Sequence, residues 1–248
     1  MPHASADWVR WQNSLTTGNH DLAGRVALVV GGTRNLGAAC AEQFAARGAT
    51  TVISYAHGEH AAARTLAALE RFGVRAEAIR SDATQSCDVN TLFTGVLARH
   101  GRLDIVVHTV GAVLDKPLTE HTDADFDLLL DHNTRSAFNT LRAAARHLTE
   151  HGRYVALTSA LTGSHGASAA VKAAVEALVV TAARELAVRD ITVNAVAPGP
   201  VTDAVPPEPP RRDRLGQPED IARVVAWLTS PAADWVSGQT IRVDGSPA

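Results

Sequence analysis

Short apolar runs alternate along this chain with longer stretches in which apolar residues recur every three or four positions. Residues 26–30 are apolar throughout, as in a parallel strand buried on both faces. The turn Gly31-Gly32-Thr33-Arg34-Asn35-Leu36-Gly37 follows, and the alanine-rich run 38–46 continues as a helix. Residues 51–54 read as a second strand, 58–71 as a helix stopped by Gly73, and 74–79 as a third strand. Val89, Leu92, Phe93, Val96 and Leu97 share helical spacing before Gly101. The pattern then predicts a strand over 104–110, a long helix over 123–150 and a strand over 153–159. A stripe through Val171, Val175, Leu178, Val179, Ala182 and Leu186 marks a helix over 167–189. After it come a strand over 191–197, a helix over 221–228 and a strand over 240–243.

Such alternation implies an α/β fold of Rossmann type: a doubly wound, seven-stranded parallel sheet with helices on both faces. Ligands of such folds bind beyond the carboxyl ends of the strands, here just after Val30, Ser54, Val110, Ser159 and Ala197. Gly31 and Gly32 allow a tight turn with close backbone approach. The helix that follows presents unpaired N–H groups and its positive dipole end, which favours an anion such as a dinucleotide pyrophosphate.

Composition narrows the picture. The 248 residues, 46% hydrophobic and 20% charged, suffice for a sizeable core. We expect one domain over 23–248, preceded by a polar extension, 1–22, in which Trp8, Trp11 and Leu15 recur at helical spacing. A net charge of −3 offers no electrostatic case for nucleic acid or an anionic membrane. No run reads as a membrane span or a signal peptide. Cys40 and Cys87 show no metal or redox spacing, Cys40 reads as a buried thiol, and a reducing cytoplasm is the default compartment.

The spacing Gly31-x-x-x-Asn35-x-Gly37 resembles the T-G-x-x-x-G-x-G turn of the short-chain dehydrogenase/reductase family, with Val30 in place of Thr and Asn35 in place of the middle Gly. Asn tolerates left-handed geometry better than most residues. Residues 103–107 followed by Gly111 resemble the family's fourth strand, although His108-Thr109-Val110-Gly111 replaces N-N-A-G. Asn133, the pair Thr158-Ser159, and the segments 172–178, 193–201, 214–222 and 243–245 match in register, so the resemblance runs from about Asp21 to Gly245. It implies that Gly31, Thr33, Arg34, Asn35, Leu36 and Gly37 hold the pyrophosphate side of a nicotinamide dinucleotide. Tyr55, Asp82, Ala83, Val110 and Gly111 would line its adenosine side, Lys172 would bind the nicotinamide ribose, and Pro198, Gly199 and Val201 would flank the nicotinamide. The helices over 123–150 and 167–189 match those that build dimers and tetramers in the family, which implies a homo-oligomer acting on a small-molecule substrate.

NAD specificity usually needs a carboxylate at the end of the second strand, and Ser54-Tyr55-Ala56-His57 offers none. Arg34 can present a bidentate fork to a 2′-phosphate, so NADP(H) is the expected cofactor; His57 can add a donor or be an ordinary surface imidazole.

The family's proton donor is a Tyr four residues before the Lys, and Ser168 stands there. The tyrosines present, Tyr55 and Tyr154, fall elsewhere, and a serine hydroxyl is a far weaker acid than a phenol. General-acid help is worth roughly 10²–10⁴-fold. A ketone needs that proton, whereas an imine already protonated to an iminium, or an activated alkene, depends on it less. Ser159, helped by Ser168 or by His165 seven residues before the Lys, can orient such an acceptor. The bland readings are a satisfied strand-end hydroxyl for Ser159 and a bystander for His165. Asn133 either holds a relay water or bridges its helix to the fourth strand. Residues 206–210, Pro-Pro-Glu-Pro-Pro, replace a longer helical lid with a stiff, short segment. Two other classes stay open: a non-redox enzyme (dehydratase, isomerase or cyclase) on the same fold, and a cofactor-binding subunit without activity of its own.

Overall fold

The computed structural model describes residues 20–160, 166–201 and 215–245. The predicted extension 1–22 lies almost wholly outside them, as do His165 and the proline-rich segment 206–210. The elements are β1 (Val26–Val30), α1 (Asn35–Ala46), β2 (Thr50–Tyr55), α2 (Glu59–Glu70), β3 (Ala76–Arg80), α3 (Ser86–His100) and β4 (Ile105–His108). There follow α4 (Asp123–Leu129), a wide π-helical turn (Leu130–Arg135), α5 (Ser136–His147), β5 (Arg153–Leu157), α6 (Gly166–Leu186), β6 (Thr192–Pro198), α7 (Pro218–Leu228) and β7 (Thr240–Val243).

All seven strands join one sheet in the order β3-β2-β1-β4-β5-β6-β7, and each pairing is parallel. The order reverses between β1 and β4, which opens a crevice at their carboxyl ends. β1, β4, β5 and β6 are buried along their whole length; β1 reads as an unbroken apolar run, whereas the other three also bury His108, Arg153, Thr192 and Asn194. One sheet face buries Leu28, Val52, Val106 and Val193 against Phe93 of α3, Leu141 of α5 and Val175 and Val179 of α6. The other buries Val29, Ile53, Val107 and Val196 against Phe44 of α1 and Ile221 and Val225 of α7.

Two departures from the sequence pattern shape the site. β4 and β5 stop two residues earlier than predicted, so Thr109, Val110, Thr158 and Ser159 leave the sheet and line its edge. The helix predicted over 123–150 is broken by the π turn and ends at His147. By length and mean hydropathy, 1.4, the segment Gly166–Arg189 is apolar enough to cross a membrane. Its Val175, Val179 and Leu186 face is instead packed with Val193 and Ala195 of β6 in the core.

Candidate active site

The turn after β1 is built around close backbone approaches. Gly31 has φ +86°, and the N–H groups of Gly31 and Gly32 both donate to Ser54 O at 3.1 Å. A Cβ on Gly37 would collide with Gly31 O, and one on Gly31 would meet Thr109 Oγ1 at 2.7 Å. Thr109 in turn donates to Val30 O (2.9 Å) or Gly31 O (3.0 Å), tying the turn to the end of β4. Asn35 takes φ +42°, the left-handed geometry for which Asn is a tolerable stand-in for Gly. Arg34 caps α1 with extended backbone and no side-chain hydrogen bond, and it is exposed. The first N–H groups of α1 therefore point outward, as an anion site requires.

At the ends of β2 and β3 lies a cavity of about 260 Å³ lined by Tyr55, Ala56, His57, Gly58, Glu59 and Arg80. Tyr55 and Arg80 are register partners across the parallel pair, which sets the guanidinium beside the end of β2. Close by in sequence, the hydroxyls of Ser54 and Ser81 are buried without a hydrogen-bond partner. Asp82 Oδ1 accepts from Thr84 N (2.9 Å) and Thr84 Oγ1 (2.8 Å), which fixes the loop before α3, and Ala83 is buried.

Beyond β4 the chain runs against α4, the π turn and α6. Asn133, buried in the π turn, donates to Ala112 O (2.9 Å) and Leu129 O (2.8 Å) and accepts from Ala112 N at 3.2 Å. Lys172, on α6, donates to Leu157 O at 3.4 Å, and burial pulls its ammonium down to about 8. Gly111 sits between these two: a Cβ there would collide with Lys172 Nζ and come 2.8 Å from Asn133 Oδ1. Ser159 is half-buried just past β5. Gly199 N donates to Val243 O at 2.9 Å where Pro198 ends β6, and Val201 forms a bridge to Gly216.

Ser168 is where geometry changes the reading most. It is buried, accepts from Leu114 N at 3.0 Å and donates to Leu114 O at 3.2 Å. The expected helper of Ser159 is thus spent on pinning the loop after β4, and a hydroxyl with its only proton so engaged is no proton donor.

A family model described as enoyl-(acyl carrier protein) reductase matches residues 30–245. The chain belongs to the short-chain dehydrogenase/reductase family. A hydroxynaphthalene reductase-like protein Arp2 of Metarhizium brunneum is 37% identical over 253 residues, covering 90% of this chain and 95% of its own. A hydroxynaphthalene reductase of Aspergillus fumigatus is 35% identical, covering 88% of this chain and 90% of its own. A short-chain dehydrogenase of Burkholderia cenocepacia, solved with NADP, superposes with a TM-score of 0.85 at 34% identity over 92% of this chain and 99% of its own. A metagenomic blue fluorescent protein solved with NADPH gives 0.84 at 32% over 91% and 98%.

Within this family member, two residues escaped the sequence reading. Arg80 carried a usable signal, since it ends the strand beside β2. His108, noticed only as a departure from N-N-A-G, is completely buried at the end of β4. Its Nε2 lies 3.3 Å from Ser136 Oγ and its Nδ1 3.1 Å from Thr140 Oγ1. Burial, and then the charge of Lys172, push its imidazole down to about 3 against a weaker opposing bond to the Val110 backbone, so it is neutral at working pH.

Proposed function

We propose that this chain is an NADP(H)-dependent reductase that passes hydride to a small molecule whose acceptor group is already activated: a C=N, a conjugated C=C or a conjugated C=O. The observation that carries this reading is Ser168, which stands where the family has its Tyr and whose proton is committed to Leu114 O. An acceptor that needs little general-acid help fits such a site. The uncapped start of α1 suits the pyrophosphate, and the unpartnered Ser54 and Ser81 hydroxyls suit the adenosine end. Arg34 and Arg80 would take the 2′-phosphate at the cavity beside Tyr55 and His57; Glu59 adds one carboxylate there, which the two guanidinium groups outweigh.

When bound, NADPH would supply the hydride. Lys172 would donate to the ribose hydroxyls and Ser159 would hydrogen-bond the acceptor, while Asn133 and Ser168 hold the loop over 111–114. His165, outside the described residues, is a candidate to give a proton near neutral pH or a bystander. Exposed Phe126, Phe138 and Val180 support packing of a second copy of the chain on α4, α5 and α6. The free thiols Cys40 and Cys87 suit a reducing cytoplasm.

The test is a fluorescence titration with NADPH and with NADH, followed by NADPH consumption at ~340 nm with hydroxynaphthalenes, cyclic imines and enones. Relatives named as hydroxynaphthalene reductases are the reason to begin that screen with hydroxynaphthalenes. Tight NADPH binding with slow or absent NADH binding, and turnover of an activated acceptor, supports the reading. Binding of neither cofactor, or turnover without loss of absorbance, overturns it in favour of a non-redox activity.

A further inference from the structure

The buried hydroxyls around His108 form a connected chain of hydrogen-bonding groups. Ser136 Oγ lies 2.7 Å from His132 O and 3.2 Å from Asn133 O. Carbonyls only accept, and a Ser136 proton given to one of them leaves Ser136 Oγ to accept from His108 Nε2. Thr140 Oγ1 lies 3.1 Å from His108 Nδ1 and 3.1 Å from the Tyr154 hydroxyl, and it also reaches Ser136 O (3.1 Å) and Ala137 O (3.0 Å). The chain runs Tyr154 to Thr140 to His108 to Ser136, and ends on the carbonyls of the π turn that carries Asn133.

That ending matters because the π turn has no covalent cause. It contains neither Pro nor Gly, the usual sources of irregular helix. π turns recur at functional sites, and here the distortion is what brings the Asn133 amide onto Ala112, next to Gly111 and Lys172. We propose that His108 is a positioning residue of the active site: by donating from Nε2 to Ser136 it holds the π turn that aims Asn133 at the loop over 111–112. Its functional consequence rests on the reading that this loop and Lys172 face the nicotinamide ribose.

The experiment compares three full-length variants. H108F keeps the bulk and removes both bonds, H108Q keeps a donor near the Nε2 position, and T140V cuts the chain on the side away from the π turn. Two readouts are taken: hydrogen exchange of the Ala112 N–H, which reports the Asn133 clamp without any ligand, and the dissociation constant for NADPH. H108F is expected to speed Ala112 exchange tenfold or more and to weaken NADPH by a similar factor. H108Q should restore both to within about threefold, and T140V should lower the melting temperature while leaving both near wild type. If H108F does not fold, H108L makes the same cut and leaves the Ser136 bonds to His132 O and Asn133 O in place. Ala112 exchange unchanged in H108F or H108L, or accelerated equally in T140V, overturns the proposal. Wild-type protein that shows the Ala112 effect yet binds no NADPH leaves the positioning role standing and removes the cofactor reading instead.

Discussion

Gly111→Ala separates function from stability in this site. The glycine lies outside the left-handed region and is exposed, so the substitution strains no backbone and opens no cavity. Its methyl would strike Lys172 Nζ and stand 2.8 Å from Asn133 Oδ1, so both atoms must withdraw to reach ordinary contact. The lysine terminus must move by about 1 Å, and a misplacement of that size in a catalytic constellation costs on the order of 10²-fold in rate. That corresponds to about 2.7 kcal/mol of transition-state stabilisation. The folded state should lose only about 1–2 kcal/mol, because the Lys172 terminus can swing aside while Asn133 Oδ1, held by Ala112 N, shifts by a few tenths of an ångström. The assay is NADPH-dependent turnover of the best acceptor from the screen, with thermal unfolding in parallel. Turnover should fall by about two orders of magnitude while the melting temperature moves by a few degrees. Wild-type turnover in Gly111→Ala would show that Lys172 and Asn133 do not meet the reacting molecules at this point.

Four further outcomes follow from the same geometry. Gly37→Ala drives a methyl into Gly31 O, backbone against backbone, and should abolish NADPH binding, as read by fluorescence. Arg80→Ala should weaken NADPH by roughly 10–100-fold and leave NADH unchanged, since a bond from a charged donor is worth about 1.5–3 kcal/mol; equal effects on both cofactors would remove Arg80 from the 2′-phosphate. Lys172 loses its proton near 8 instead of 10.5, so NADPH affinity should fall as pH rises through about 8, and Lys172→Arg should flatten that limb. Between those two values the unfolded chain holds the extra proton, so Lys172 adds stability as pH rises there. His108 titrates near 3 when folded and 6.5 when unfolded, so the unfolded chain binds the extra proton between them and stability drops as pH falls through that window. Going from pH 7 to pH 5 should cost about 2 kcal/mol in urea unfolding, and His108→Gln should remove that slope; identical slopes would show that His108 is not the buried neutral group described.

The strands were legible because a parallel strand buried on both faces has few polar positions to blur it, and Val26–Val30 lies in register where its sequence pattern put it. Their carboxyl ends were not, since Val110 and Thr158 continue the apolar or β-prone pattern after the pairing has stopped. The π turn left no local trace: Leu130–Arg135 is an ordinary helical sequence, and the pull on it comes from Ala112 and His108 across the fold. The substitutions at positions 108 and 168 were visible as departures from the family pattern, but their partners lie 28, 32 and 54 residues away, beyond the reach of any spacing argument. Those two departures point the same way. Ser168 pins Leu114 and, in the proposed function, stands in place of the family's proton donor, while His108 is a neutral, buried group behind the π turn that carries Asn133. Each adds rigidity around Lys172, and neither supplies a general acid. A site with those priorities gains rate through orientation, which can supply about 7–11 kcal/mol of a barrier. The roughly 3–5 kcal/mol a general acid contributes is what an acceptor carrying its own activation can do without.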